Sequence, residues 1–292
     1  MTALQIIVTG ANGQLGMEFK DLSKSSDHDF TFLSSSDLDI SSRSQVIDYF
    51  KDHKVDVILN CAAYTKVDLA ETEKTKAYDV NANGVKNLLE AMSDQCLMLH
   101  YSTDYLYNAE LGTAIKENEA TYPSNVYAAS KLSGDQHVIK SNKKAIVLRT
   151  SWVYSSYGNN FVKTMLRLAD KLPEIKVVND QIGAPTFAKD LASVSMSILN
   201  TMLSSEDISF FNKVYHYSNS GQISWYDFAK EILTQTGQLT QTNLVKTDYY
   251  RTFAQRPVFS VLDARKYFSK FNYKSIEWQK SLKNVINLKI NN

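Results

Sequence analysis

The sequence contains the stretch Ile6-Ile7-Val8-Thr9-Gly10-Ala11-Asn12-Gly13-Gln14-Leu15-Gly16. An apolar run that ends in spaced glycines and passes into a helical pattern is typical of the first strand, turn and helix of a nucleotide-binding fold. In this interpretation Gly10 permits a tight turn, Gly13 lets backbone approach a pyrophosphate, and Gly16 lets the helix pack on the strand. The helix N-terminus then faces the phosphates with its partial positive charge. An ordinary glycine-rich turn is the alternative, since the spacing G-x-x-G-x-x-G is not the G-x-G-x-x-G of the commonest dinucleotide fold.

Short apolar runs alternate with helical stretches through the first half of the chain. The predicted strands are residues 4–9, 30–33, 55–62, 97–102 and 145–150, and the predicted helices are 14–23, 43–53, 75–93 and 125–141. Continuous apolar runs suit strands that are covered on both faces, and strand–helix alternation favours a parallel sheet with right-handed crossovers. We therefore expect an α/β fold with a Rossmann-like, doubly wound parallel sheet, and ligands beyond the carboxyl ends of its strands.

The second half of the chain is less regular. Its predicted helices are residues 159–171, 187–202, 224–236, 263–271 and 276–288, and its predicted strands are 176–179 and 214–218. The run Ser224-Trp225-Tyr226-Asp227 resembles a capping box that opens one of these helices. We expect residues 1–150 to form a nucleotide-binding domain, to which a helix and a strand within 174–204 return. Residues 151–292 should then form mainly a smaller C-terminal substrate-binding lobe.

The bulk composition is that of an ordinary globular protein. Of the 292 residues 43% are hydrophobic and 22% are charged, and a net charge of +1 indicates no surface for a polyanion such as nucleic acid. No apolar run is long enough to span a membrane and no signal peptide is recognised, so we expect a cytoplasmic protein without a membrane partner. Cys61 and Cys96 are expected to be buried, reduced thiols. The five histidines show no ligand spacing, so no metal is expected.

A second motif is Tyr127-Ala128-Ala129-Ser130-Lys131, which follows the strand-like run His100-Tyr101-Ser102-Thr103-Asp104. A spacing of four places the phenol and the ammonium on one face of a helix. A cation beside a phenol lowers its pKa from the reference value of about 10, which makes Tyr127 a usable proton donor near neutral pH. Thr103 could add a hydroxyl to the same site. Such a pair alone is often a chance pairing of solvent-exposed residues on a helix. Its position after a nucleotide-binding signature strengthens the prediction of a catalytic pair.

Together these features resemble the extended short-chain dehydrogenase/reductase family, which joins Thr-Gly-x-x-Gly-x-x-Gly to a Ser/Thr–Tyr–Lys triad. The similarity extends to Arg149-Thr150-Ser151-Trp152-Val153-Tyr154 and to residues 158–168, and it covers essentially the whole chain. Within the family the chain is similar to the sugar-nucleotide 4-ketoreductases. The resemblance implies an enzyme that transfers hydride from NADPH or NADH to the C4 keto group of dTDP-4-dehydro-6-deoxy-L-mannose, giving dTDP-L-rhamnose. It also implies that the protein binds a dTDP-sugar and that it is a monomer or a homodimer.

The resemblance implies roles for individual residues as well. Tyr127 matches the general acid that protonates the nascent alkoxide. Lys131 matches the cation that orients the nicotinamide ribose and lowers the tyrosine pKa, and Thr103 matches the hydroxyl that polarises the ketone. Asp104 and Trp152 match positions that contact the sugar nucleotide. Alternatively, Thr103 and Asp104 could be turn residues, and Trp152 could pack in the core. The residues implied for cofactor binding are Gly10, Asn12, Gly13, Gln14, Leu15, Gly16, Asp39, Ile40, Ala62, Ala63, Tyr64, Tyr127 and Lys131.

Two departures from the family pattern leave alternatives open. Where strict NAD enzymes hold a carboxylate, the second strand runs into Ser34-Ser35-Ser36, and Arg43 is the nearest arginine. Glu18 matches a glutamate of metal-linked dimers in some members, but Lys189 replaces another, and a cation there argues against a metal. The alternatives to a reductase are a non-catalytic regulatory subunit, like that of methionine adenosyltransferase, and a sugar-nucleotide epimerase of the same superfamily.

Overall fold

The apolar runs of the sequence pair into one six-stranded parallel sheet. Its strands are β1 (Gln5–Thr9), β2 (Asp29–Leu33), β3 (Val57–Asn60), β4 (Leu97–Thr103), β5 (Lys144–Thr150) and β10 (Val214–His216). The structure, a computed structural model, describes residues 3–107, 112–204, 207–273 and 276–290. The strand order is 10-5-4-3-1-2, so the order reverses between β1 and β3. This arrangement confirms the expected doubly wound, Rossmann-like fold, in which such a reversal opens a crevice for ligands.

Helices cover both faces of the sheet. One face is covered by α1 (Gln14–Ser23), α8 (Ala188–Ser204) and α10 (Arg265–Phe271), and the other by α2 (Arg43–Asp52), α5 (Gly84–Ala91) and α6 (Val126–Lys140). Successive side chains of a strand point to opposite faces. Val57 and Leu59 of β3 therefore join the first core, whereas Ile58 joins the second. The continuous apolar runs of the sequence reflect this double burial.

The helix predicted over residues 75–93 is interrupted. After α3 (Val67–Ala70) and α4 (Lys74–Tyr78), a π-helical turn spans Asp79–Asn83 before α5 begins. The amide of Asn81 in this turn accepts from the backbone N–H of Tyr64 at 2.8 Å and donates to its carbonyl at 3.0 Å. A Cβ on Gly134 of α6 would lie 2.1 Å from the Asn81 carbonyl oxygen. The π-helical turn therefore packs closely on α6 and holds the segment after β3 by hydrogen bonds.

The remaining elements form a smaller lobe. Its helices are α7 (Phe161–Ala169), α9 (Trp225–Gln235) and α11 (Trp278–Ile290), and its strand pairs are β6 (Val153–Tyr154) with β9 (Thr186–Phe187), β8 (Ile182–Gly183) with β11 (Ile223–Ser224), and β7 (Glu174–Val178) with β12 (Asn243–Thr247). Buried aromatic rings such as Phe228 and Trp278 fill its core. Ser224 accepts from the backbone N–H of Asp227 at 3.0 Å, which confirms that α9 begins after an N-cap serine.

Only one of the two segments expected to return to the nucleotide-binding domain reaches the central sheet. Helix α8 packs along α1 and buries Leu191 and Val194 against the strands. Strand β7 instead pairs with β12 in the smaller lobe, so that part of the prediction is wrong. Its burial alternates, with Ile175 and Val177 buried between exposed neighbours, which is the pattern of a strand covered on one face. The sixth strand of the central sheet is β10, which pairs with β5.

Among the described residues, none of the helices combines the length and the apolar character needed to cross a membrane. Both cysteines are free thiols, Cys96 buried as expected and Cys61 partly exposed.

Candidate active site

A cleft of about 880 Å³ runs along the carboxyl ends of the central strands and beneath the smaller lobe. It follows the edge at which parallel α/β sheets bind ligands. Every residue predicted from the sequence to act in catalysis or in binding lies along this cleft, namely Gly10, Asn12, Gly13, Gln14, Leu15, Gly16, Asp39, Ile40, Ala62, Ala63, Tyr64, Thr103, Asp104, Tyr127, Lys131 and Trp152. The structure thus brings together groups that lie far apart in the chain.

The glycine turn after β1 lines the cleft. Gly10 has a φ of +65°, and a Cβ there would lie 2.7 Å from the backbone of Ala62, which follows β3. Only glycine fits this point, because both the left-handed conformation and the close approach exclude a side chain. Gly13 is the N-cap residue of α1, and the first turn of that helix lines the cleft. Unpaired N–H groups and the positive end of the helix dipole are suited to a phosphate.

The turn after β2 forms the far end of the cleft. Ser34 and Ser35 line it. The Asp37 carboxylate accepts from the backbone N–H of Ser34 at 2.8 Å and from its hydroxyl at 2.6 Å, and these bonds lower the pKa of Asp37. Asp39 accepts from the backbone N–H of a neighbouring serine at 2.9 Å. Arg43 donates to Glu90 at 3.0 Å. The carboxylates and the nearest arginine thus have partners within the protein, and hydroxyl groups line the cleft.

Helix α6 places the phenol and the ammonium of the second motif. Its N-cap residue Asn125 accepts from the backbone N–H of Ala128 at 2.7 Å, so Tyr127 lies in the first turn and Lys131 one turn later. Thr103 ends β4 beside them, and its hydroxyl accepts from the backbone N–H of Tyr105 at 3.2 Å. The side chains of Thr103, Tyr127 and Lys131 all line the cleft. Three functional groups therefore converge at the end of one strand.

The protonation of this cluster differs from the sequence-based expectation. Burial raises the pKa of Tyr127 to about 12, and hydrogen bonding with Thr103 only partly offsets it. Burial also lowers the pKa of Lys131 to about 8. The prediction that Lys131 lowers the phenol pKa is wrong for this structure, because the ammonium donates to the Tyr101 carbonyl at 2.6 Å and burial dominates the phenol. Tyr127 is consequently protonated near neutral pH, which is the form a proton donor needs.

Unsatisfied polar atoms face the cleft from the ends of two strands. Burial raises the pKa of Asp104 to about 7, against the opposing effect of hydrogen bonds with Ser260 and Thr103. Within the described part of the chain, the Asp104 Oδ2, the Ser102 hydroxyl and the Thr150 hydroxyl are buried without a hydrogen-bond partner. Buried polar groups are costly when unpaired, so these three atoms indicate the position of a polar ligand.

The lobe side of the cleft is aromatic. Trp152 stacks on Trp225 with ring centroids 3.5 Å apart and an angle of 7° between the planes. The Trp152 backbone has a φ of +46°, which is strained for a non-glycine residue. A Cβ on Gly183 would lie 2.4 Å from the Trp152 ring, so the indole rests directly on that backbone. Trp152 is half-buried and lines the cleft. The sequence analysis missed Trp225, whose only signal was its place in the capping box of α9.

Two predicted residues between α1 and the smaller lobe have structural partners. The Gln14 side chain accepts from Asn160 Nδ2 at 2.9 Å, so it joins the two lobes. Glu18 is buried and accepts from the Ser155 hydroxyl at 2.5 Å. Burial raises the pKa of Glu18, and the hydrogen bond from Ser155 and the charge of Lys189 partly offset this effect. Glu18 therefore faces the interior of this chain. Among the described residues, no group of three or more histidine, cysteine, aspartate or glutamate side chains is arranged to hold a metal ion.

Comparisons with known proteins bear on the identity of this cleft. The family model described as the RmlD substrate binding domain matches residues 4–290. A dTDP-4-dehydrorhamnose reductase from Aggregatibacter actinomycetemcomitans is 38% identical over 289 residues, which are 96% of this chain and 98% of that protein.

Solved structures agree with the sequence comparison. A dTDP-4-dehydrorhamnose reductase from Clostridium acetobutylicum is 35% identical with a TM-score of 0.91, covering 98% of this chain and 100% of that one. The enzyme from Bacillus anthracis, solved in complex with NADP, is 34% identical with a TM-score of 0.88, covering 98% and 99%. With sequence, fold and length shared in this way, the chain belongs to the dTDP-4-dehydrorhamnose reductase family.

Proposed function

We propose that this protein uses NADPH or NADH to reduce the C4 keto group of dTDP-4-dehydro-6-deoxy-L-mannose to dTDP-L-rhamnose. The observation that carries the proposal is the convergence of Thr103, Tyr127 and Lys131 in the same cleft that the glycine turn lines. Relatives of the same length that share this family are named as reductases. A non-catalytic regulatory subunit would need no such cluster, so that alternative has less support.

The described residues fit a nicotinamide dinucleotide on two counts. Gly13 and the first turn of α1 line the cleft, where backbone N–H groups suit a pyrophosphate, and the unpaired hydroxyls of Ser102 and Thr150 belong to other residues that line it. When bound, the cofactor supplies the hydride for the ketone carbon. We propose that the phosphates of the cofactor are held by Gly10, Asn12, Gly13, Gln14, Leu15 and Gly16. Its adenosine is held by Asp39 and Ile40. Its nicotinamide half is held by Ala62, Ala63, Tyr64, Tyr127 and Lys131.

The protein's own groups then act on the ketone oxygen. As negative charge develops there, the Thr103 hydroxyl donates a hydrogen bond to it and stabilises the transition state. Tyr127 transfers its phenolic proton to the same oxygen. The transfer is favourable although the pKa of Tyr127 is about 12, because a sugar alkoxide is a stronger base than a phenolate. Lys131 carries the positive charge that orients the nicotinamide ribose.

The sugar is held between the two sides of the cleft. Asp104, whose pKa burial raises to about 7, can donate to or accept from a sugar hydroxyl. The Trp152 indole packs on the apolar face of the sugar and excludes water from the reacting carbonyl. We infer that residues 1–150, with α8 and β10, bind the cofactor and that the rest of 151–292 binds the dTDP-sugar. We also propose that the enzyme is cytoplasmic and that it is a monomer or homodimer. Sedimentation velocity would test the oligomeric state.

A coupled assay tests the proposal directly. The keto sugar is generated enzymatically, the protein is added with NADPH, and the loss of absorbance at the nicotinamide band is followed while the product is identified by NMR. We expect substrate-dependent NADPH oxidation and dTDP-L-rhamnose as the product. A folded protein that oxidises no NADPH contradicts the proposal. An absorbance scan of the purified protein addresses the epimerase alternative, because an epimerase would tend to retain its nicotinamide cofactor.

A further inference from the structure

A chain of buried polar side chains lies behind Lys131 on the side away from the cleft. Arg149 Nε donates to Asp135 Oδ2 at 2.9 Å, and Arg149 Nη1 donates to the Tyr107 hydroxyl at 2.5 Å. The Tyr107 hydroxyl in turn lies 2.8 Å from His216 Nε2. All four side chains are buried, with Asp135 and His216 fully so. A continuous polar network of this kind inside a protein core calls for an explanation, because burying its charges is costly.

The protons of the network can be assigned from its contacts. His216 Nδ1 lies 3.1 Å from the Ile115 carbonyl, which can only accept, so Nδ1 carries the proton. His216 Nε2 therefore accepts from Tyr107, whose oxygen accepts from Arg149. Burial and the neighbouring Arg149 lower the pKa of His216 to about 3, so the ring is neutral. The charges of this network are then one cation, Arg149, and one anion, Asp135.

The charge of Asp135 also acts on Lys131, whose ammonium donates to the Tyr101 carbonyl at 2.6 Å. Asp135 and Lys131 are four apart on α6 and so share one face of the helix. Three titratable groups interact with the Lys131 ammonium: Asp135 from α6, Cys61 from the segment after β3, and His100 from β4. Burial raises the pKa of the Cys61 thiol and lowers that of His100, so both are neutral. Of these three groups in the described structure, Asp135 alone brings a negative charge to Lys131.

We propose that Asp135 is a positioning residue for the reaction: its carboxylate, fixed by Arg149, keeps the buried Lys131 ammonium charged at the base of the cleft. The inference rests on the proposed function, in which Lys131 orients the ribose. Burial already lowers the pKa of Lys131 to about 8 with the carboxylate present. Without it, no negative charge would oppose the effect of burial, and the pKa of Lys131 would fall further.

A purely structural ion pair would behave differently. Buried pairs can often be replaced without loss of function, and removing one partner mainly costs stability. A structural role for Asp135 therefore predicts lower stability with an unchanged titration of Lys131. The positioning role predicts a shifted titration in protein that is still folded.

The test follows Lys131 in the free protein by NMR with ¹³C-labelled lysine. The Lys131 signal is assigned as the one absent from Lys131→Met. In Asp135→Asn we expect its titration midpoint to fall by about one pH unit or more, a tenfold change in proton affinity. Tyr107→Phe is the matched control, because it disturbs the same network at Arg149 without removing Asp135. The Lys131 midpoint should stay at the wild-type value in this variant. An unchanged midpoint in folded Asp135→Asn overturns the proposal.

A second variant covers the case in which Asp135→Asn does not fold. Asp135→Asn combined with Arg149→Met removes both buried charges and so leaves no unpaired guanidinium. The Lys131 midpoint should still lie below the wild-type value, and a wild-type midpoint in this variant overturns the proposal. The titration needs no substrate. A shifted midpoint in a protein that reduces no ketone would therefore contradict the proposed function alone, whereas full reductase activity with an unshifted midpoint would contradict only the role of Asp135.

Discussion

The two sides of the cleft are built by different means. The sheet wall, by which we mean Thr103, Asp104, Tyr127 and Lys131, consists of ionisable and hydroxyl groups that the ends of parallel strands and one helix bring together. The lobe wall, Trp152 and Trp225, is a pair of stacked indoles. Topology fixes the first wall and ring packing fixes the second. We therefore expect the chemical step to depend on the sheet wall and the fit of the sugar to depend on the lobe wall.

The largest effect should come from removing the proton donor of the sheet wall. Tyr127→Phe deletes one oxygen and leaves the ring, so turnover should fall by about 10²–10⁴-fold, the usual contribution of general acid catalysis. NADPH affinity, measured by fluorescence titration, should stay near the wild-type value. Tyr49→Phe is the control, because Tyr49 lies outside the cleft and stacks on His53 at the C-terminal end of α2. Near wild-type turnover in Tyr127→Phe would remove the sheet wall from the chemistry.

The second prediction concerns the stability cost of the buried sheet wall. The pKa of Asp104 is 3.8 as a reference and about 7 in the folded protein, because burial disfavours the charge. Between these values the unfolded chain is ionised while the folded one holds its proton, so stability falls as the pH rises from about 4 to about 7. The loss is on the order of 4 kcal/mol, from roughly three pKa units.

Asp104→Asn should abolish this component. Its free energy of unfolding, measured by urea titration at several pH values, should be less pH-dependent than that of the wild type, and the variant should gain relative stability above pH 7. Glu18 also has a pKa raised by burial, so the comparison is made as the difference between the two curves. Parallel curves for variant and wild type would show that Asp104 is ionised in the folded protein.

The contrast between the walls also explains what could be predicted from the sequence. Strand ends of a parallel sheet meet at one edge, so Thr103, Tyr127 and Lys131 could be placed together from two motifs and one rule of topology. Trp225 could not, because stacking on Trp152 depends on how α9 packs in the folded lobe. A spacing of four likewise showed that Lys131 shares a face with Tyr127, but not that burial would dominate the pKa of the phenol.

The misplaced strand of the smaller lobe is a different case. In β7 the alternation of Glu174 and Lys176 with Ile175 and Val177 was visible in the sequence, and it marks a strand covered on one face. The inner strands β3 and β4 lack this alternation, since both of their faces are covered, but the edge strand β2 shows it. Periodicity could therefore have excluded β7 from the middle of the central sheet, whereas its partner β12 is known only from the fold.

The third prediction tests the lobe wall. Trp152→Ala should lower kcat/KM for the keto sugar by about tenfold, the scale of 1.4 kcal/mol of lost contact, with NADPH affinity nearly intact. Because Trp152 is half-buried, its stability cost should stay below the roughly 3–5 kcal/mol of a fully buried aromatic. A double-mutant cycle with Trp225→Ala should give a coupling of about 0.5–1.5 kcal/mol in stability. If the melting temperature collapses while the surviving folded fraction turns over normally, the lobe wall is core and not pocket.

The smallest effect is expected where the sheet side meets solvent, at the turn after β2. Serines line this end and Asp37 is held by Ser34, so we expect both cofactors to be used with at most a tenfold preference for NADPH. Ser35→Asp would add a carboxylate to the cleft and should weaken NADPH binding several-fold, by about 1 kcal/mol, while NADH binding stays the same. Ser44→Asp, an equal charge on exposed α2 outside the cleft lining, is the control. The penalty should shrink in high salt, because exposed charges are screened. Equal losses for the two cofactors would mean that the 2′-phosphate lies elsewhere.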